Sequence, residues 1–129
     1  NNTLKTGQTE AELLGIIKIV QSLKDSDSIS ASDIAQSGTF PQKFVKGDTI
    51  VSAFGTEIDI TAGSGSYDIE VQGLNKSSCV LMATQEFGDV VPNLVINGET
   101  HAMKSGVISP SQATTMCSSS SNSFGVASD

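Results

Sequence analysis

A chain of 129 residues is the size of one ordinary domain and shows no second apolar core, so 1–129 read as a single unit. Five Phe, one Tyr and no Trp leave the core to Ile, Val, Leu and Ala. Seven lysines, no arginine and fourteen acidic residues give a net charge of −7 with no basic cluster, which argues against nucleic acid or an anionic membrane surface as partner.

The first strong periodicity runs from Thr9 to Lys24, where Leu13, Ile16, Ile17, Val20 and Leu23 recur at helical spacing. Glu10, Glu12, Lys18, Gln21 and Ser22 take the opposite face. Thr9 and Glu12 have the spacing of a capping box, and acids in a first turn complement the helix dipole. Asp25 to Lys46 then reads as a long connection, with a short helical turn at Asp33 to Gln36 and with Phe40 and Phe44 pinning it to the body.

Short strands are predicted at Thr49 to Ala53 and Glu57 to Thr61, around a turn at Phe54-Gly55. A further strand follows the Gly63-Ser64-Gly65 turn. In it Tyr67, Ile69 and Val71 alternate with Asp68, Glu70 and Gln72, as Ile58 and Ile60 alternate with Glu57 and Asp59. That is the pattern of an antiparallel sheet covered on one side only. Leu13, Ile16, Ile17, Val20 and Leu23 are expected to pack on the apolar sheet face that includes Ile58, Ile60, Ile69 and Val71.

Asn75 to Phe87 reads as a second helix ended by Gly88, and Leu94 to Ile96 as a buried strand before the Asn97-Gly98 hairpin turn. Ser109-Pro110 opens a short helix to Met116, because Ser caps and Pro suits the first helical position. Phe124 to Ala127 is the last predicted strand, beyond the Ser-rich run that follows Cys117.

No catalytic constellation is visible, and no cofactor or metal is called for. His101 is the single histidine and is expected in a loop. Asp25-Ser26-Asp27 lacks the glycine and terminal glutamate of a calcium loop. Gly63-Ser64-Gly65 joins strand to strand, the wrong context for a phosphate cradle. Glu57, Asp59, Asp68 and Glu70 are explained as the wet sheet face, and the Asn75-Lys76-Ser77 sequon is a low-specificity match. The two cysteines, Cys79 and Cys117, in a chain rich in Ser, Thr, Gly and Asn, suggest an exported protein with one disulfide. The alternatives are two buried thiols or, more weakly, a metal site. An exported chain with no signal peptide and no apolar run near the length of a membrane span suggests that an N-terminal segment has been removed.

The order of parts resembles the type IVb pilins, the branch of the toxin-coregulated and bundle-forming pilins. Ser52-Ala53-Phe54-Gly55-Thr56-Glu57-Ile58-Asp59-Ile60 is similar to their first strand region, although a proline commonly stands at the place of Ala53. Tyr67-Asp68-Ile69-Glu70-Val71-Gln72-Gly73-Leu74-Asn75-Lys76-Ser77-Ser78-Cys79 resembles their strand leading into the first disulfide cysteine. Phe87-Gly88-Asp89-Val90-Val91-Pro92 and the ending Met116-Cys117 to Phe124-Gly125-Val126-Ala127 continue the match. The resemblance spans Thr9 to Ala127 and fails at the front, where the family's long apolar helix, cleavage site and assembly glutamate are missing.

What the resemblance implies is an α+β pilin fold, with an N-terminal amphipathic helix on an antiparallel sheet and a C-terminal disulfide-bounded region. The final strand would return into the sheet. The implied role is that of a filament subunit, with the chain itself lacking the half-helix that polymerises. Its partners would be other copies in a helical filament, the pilus assembly machinery, and a host-cell receptor or phage. Membrane contact would run through the missing helix alone. The location would be a fimbrium of a Gram-negative bacterium, reached from the inner membrane. A minor pilin or tip initiator, or a small secreted binding domain, is the alternative. The same resemblance sets Asp25 to Lys46 against Val80 to Met116 of a neighbour, pairing Lys43 or Lys46 with Glu86, Asp89 or Glu99.

Overall fold

The computed structural model of the chain describes Asn1–Asp129, the surroundings of Gly88 excepted. The helices are α1 (Asn2–Ser22), α2 (Ala31–Gln36), α3 (Lys76–Ala83) and α4 (Pro110–Met116). The strands are β1 (Val45–Lys46), β2 (Thr49–Val51), β3 (Glu57–Gly63), β4 (Ser66–Leu74), β5 (Asn93–Ile96), β6 (Glu99–Ala102) and β7 (Asn122–Ala127). The architecture is α+β, with α1 laid across one antiparallel sheet.

α1 starts at Asn2 rather than Thr9, because Asn1 caps it: its side-chain oxygen accepts from the backbone N–H of Thr3 at 2.8 Å and of Leu4 at 3.2 Å. Thr9 is therefore mid-helix and buried, and the expected capping box does not form. Leu13, Ile16, Ile17 and Val20 are fully buried, extended toward the N-terminus by Thr6 and Thr9 on the same stripe. Leu23 departs from expectation: the helix ends at Ser22, Leu23 is its C-cap, and 40% of its surface is exposed. α3 also ends earlier than expected, at Ala83, and Phe87 returns to the core just before a 3₁₀ turn at Gly88–Val90.

The seven strands run in the order β1-β2-β3-β4-β7-β5-β6, every neighbouring pair antiparallel. The chain's last strand is thus inserted between β4 and β5. Ile69 pairs with Val126 and Val71 with Phe124 on one side; Leu94 pairs with Val126 and Ile96 with Phe124 on the other. Side chains alternate along each strand, so Ile58, Ile69, Val71, Leu94, Ile96, Phe124 and Val126 bury together, while Ile60 is half-buried at the edge of the same cluster. α1 packs on β4 and α3, and α3 packs on β7 and α4. The Phe87 and Phe124 rings stack with centroids 5.9 Å apart. Asn97 and Gly98, both at positive φ (51° and 81°), make the β5–β6 turn; this is the conformation that a two-residue hairpin of this type demands.

The connection after α1 is less exposed than its composition suggests. Ile29 forms a bridge to Ala62 with its N–H 2.8 Å from the Ala62 carbonyl, and Ile34, Ala35 and Phe40 are buried. The strap crosses β3 so closely that a Cβ on Gly63 would fall 1.9 Å from the Asp27 carbonyl oxygen. Only glycine fits there.

Candidate functional site

Three regions concentrate polar chemistry or concavity. The first is the disulfide-bounded region. Cys79 in α3 and Cys117 at the end of α4 are bonded, with Cα atoms 5.8 Å apart and both side chains buried. Asn75 caps α3 by accepting from the Ser78 N–H at 2.8 Å, so the sequon asparagine serves a structural role. Ser109 caps α4 in a full capping box with Gln112. The chain between the cysteines carries β5 and β6, and a cleft of about 600 Å³ opens there between the Glu86–Asn93 stretch and the Ala102–Val107 loop. His101 lies in β6 rather than in a loop, its Nε2 2.8 Å from the Gly106 carbonyl oxygen. It closes that loop and faces no nucleophile or carboxylate partner in the bonds found among the described residues.

The surface residues expected to mediate contacts fall into two groups. Lys43 and Lys46 lie together on the Gln42–Phe44 turn and β1, and Glu86, Asp89 and Glu99 lie in the disulfide-bounded region; all five are exposed. Val90, beside Asp89, is 56% exposed, and Val107 is 67% exposed. An acidic rim with exposed apolar side chains is thus carried by one part of the fold, and a basic pair by another.

The second region is the flank of α1. A cleft of about 490 Å³ lies between α1 and the Thr39–Phe44 segment, walled by Ala11, Gly15, Ile19, Phe40 and Phe44. Glu12 lines it, although sequence periodicity set Glu12 on the wet face. It is 4% exposed, and its Oε1 accepts from the Ala53 N–H at 2.9 Å. Its Oε2 is buried and has no partner. Burial pushes the Glu12 carboxyl up to about 8, against the opposing influence of the Ala53 N–H and the Lys43 ammonium. At neutral pH it is therefore an uncharged acid. Lys43 stands over the Phe44 ring, 5.1 Å from its centroid. The Ala53 bond spans 41 positions of the chain, so no local sequence pattern marks it.

The third region is the outer sheet face, where Glu57 and Asp59 are exposed as expected, whereas Asp68 and Glu70 are half-buried and Asp68 Oδ1 is buried without a partner. Desolvation first, then the neighbouring Asp68 and Asp59 carboxylates, push Glu70 up to about 7. Its side chain lies over Gly125, where an added Cβ would come within 2.6 Å of Glu70 Cγ. Gln72 donates to Asp59 at 3.0 Å. No group of three or more acids, His or Cys among the described residues is arranged to hold a metal ion.

The fold is thus a helix on an antiparallel sheet, with a late strand inserted mid-sheet and a disulfide joining α3 to α4. A family model described as Bundlin matches residues 1–126. The chain belongs to the bundlin family. Among solved structures it is similar to the crystal structure of TcpA, a type IV pilin from Vibrio cholerae El Tor biotype. That match has a TM-score of 0.56 and 17% sequence identity over 99% of each chain. No sequence among the curated proteins matches. The bundlin assignment makes this chain a type IVb pilin subunit, and the TcpA likeness extends to the fold of the whole chain. None of the helices described is long and apolar enough to cross a membrane.

Proposed function

We propose that this bundlin-family chain is a structural subunit of a type IVb pilus, assembling with copies of itself into an extracellular filament that serves adhesion, aggregation or contact with host cells and phage. The observation that carries this reading is the family match over nearly the whole chain, 1–126. The fold suits a load-bearing role. β7 joins two groups of strands, and the disulfide closes a separation of 38 residues, which contributes about 4 kcal/mol by restricting the unfolded chain.

Subunit contact pairs Lys43 and Lys46 with Glu86, Asp89 or Glu99 of a neighbour. Rim charges of this kind set orientation more than affinity, so isolated chains stay monomeric. A bacterial strain lacking the chain loses its filaments by negative-stain electron microscopy and regains them on complementation. Complementing with Lys43→Glu and Lys46→Glu yields fewer or shear-sensitive filaments from a folded protein. A deletion strain that keeps its filaments overturns the function; normal, shear-resistant filaments in the double variant overturn only the pairing.

A further inference from the structure

The cleft on the flank of α1 is an apolar groove with a basic rim. Its walls are Ile19, Phe40, Phe44 and the small residues Ala11 and Gly15, and Lys18 and Lys43, both exposed, line it as well. Glu12 adds no opposing charge at the rim, because its Oε1 is bonded to the Ala53 N–H and its Oε2 is buried. Two ammonium groups beside an apolar groove select an apolar side chain that carries acids with it. The described residues include four exposed large apolar side chains, Leu4, Leu23, Val90 and Val107. Leu4 adjoins Lys5, Leu23 adjoins Lys24, and Val107 follows Lys104 by three residues. Of the four, Val90 alone is directly preceded by an acid, Asp89, with Glu86 in the same stretch and the exposed Pro92 two residues beyond.

We propose that this groove receives the turn at 89–92 of a second copy of the chain, with Val90 and Pro92 against Phe40, Phe44 and Ile19, and with Asp89 and Glu86 beside Lys43 and Lys18. The contact rests on the filament reading above and adds to its charge pairs the apolar contact that they surround. Covering an exposed aliphatic side chain is worth more than a solvent-screened ion pair. The knob therefore supplies the holding strength, and the charges supply the direction of approach. Groove and knob lie on different parts of the fold, the flank of α1 and the disulfide-bounded region. A copy whose knob is seated still presents its own groove, so the contact propagates head to tail from copy to copy instead of closing a twofold dimer.

The test is cross-linking within filaments. A chain carrying Val90→Cys and Ala11→Cys, both at exposed positions, is co-expressed with the wild-type chain, so that filaments form whatever the variant does alone. A short bis-maleimide should give covalent dimers and longer ladders, at least about tenfold above a control chain carrying Val107→Cys and Ala11→Cys, because a held pair reacts at a raised effective concentration. Two chains that each carry one of the cysteines should give the corresponding heterodimer, which keeps the test decisive if the double variant is excluded from filaments. In the double-cysteine background, Lys18→Glu with Lys43→Glu should lower the cross-linked fraction at least about fivefold, and adding Glu86→Lys with Asp89→Lys should restore it. Restoration by reversed charges is a result that a merely structural role of the lysines would not produce. Filaments that contain the cysteine chains yet cross-link no more than the Val107 control would overturn the contact and leave the filament reading intact. Reversed acids that restore nothing would overturn the lysine–acid pairing at the groove. Filaments lacking even the wild-type chain would overturn the filament reading and this contact with it.

Discussion

Phe124→Ala tests how the two groups of strands are held together. Phe124 is fully buried in β7, paired to Val71 of β4 and Ile96 of β5, and its ring stacks on Phe87 at 5.9 Å. Removing a buried Phe ring costs about 3–5 kcal/mol, the lost transfer energy plus the cavity left behind. That is a large part of the ~5–15 kcal/mol by which domains are stable. With a urea m-value of about 1–3 kcal/mol/M for a chain of this size, the denaturation midpoint should drop by at least about 1 M. Hydrogen exchange at Val126 should accelerate with it, because the amides of β7 are bonded on both sides of the strand. Val107→Ala, removing a side chain 67% exposed, should stay within about 0.5 kcal/mol. The Phe87 and Phe124 double-mutant cycle should give a coupling of about 0.5–1.5 kcal/mol. A loss below about 1 kcal/mol for Phe124→Ala, with Val126 still protected, would refute the view that β7 is the joint of the sheet.

Other perturbations have equally definite outcomes. Replacing Cys79 and Cys117 together by Ala should cost about 4 kcal/mol in chemical denaturation, and the unmodified protein should show no free thiol by mass spectrometry. Gly63→Ala should unfold or displace the Asp25–Ile29 strap, since the new Cβ would collide with the Asp27 carbonyl; an unchanged Ile29 amide protection would contradict that. The folded Glu12 carboxyl, raised to about 8 by burial, holds its proton where the unfolded chain has released it. Its contribution to stability is therefore present in acid and lost as pH rises through about 8, with a slope near 1.4 kcal/mol per unit between the unfolded and folded values. The wild-type stability curve, referenced to Glu12→Gln, should fall over that window, and a flat difference would show that Glu12 is ionised in the fold.

Much of the local structure was legible because it is locally encoded. Ser109-Pro110 opens its helix as expected, a helix begins next to Asn75, and Asn97-Gly98 forms the hairpin turn. The alternation in Glu57–Gly63 and Ser66–Leu74 gives the correct buried faces. The misses at Glu12, at His101 and in the Asp25–Lys46 connection share a physical cause, which is contact with residues outside the local segment. Thr6, Thr9 and Glu12 are polar yet buried, so apolar periodicity started α1 too late and set Glu12 in solvent. Leu23 continues the stripe in sequence, but the helix has ended and the side chain has no surface to cover. His101 reads as loop because β6 is polar, and only pairing with Leu94 makes it a strand residue. The connection from Asp25 to Lys46 is ordered by Gly63 and Ala62, which nothing within that stretch announces.

The central claim is that this chain builds a filament, and the protein content of sheared, purified surface filaments tests it most directly. Quantitative mass spectrometry should find this chain as the dominant component, recovered with its Cys79–Cys117 peptides still linked. Filaments from the same cells that contain none of it, with the chain found instead as a free secreted protein, would contradict the account.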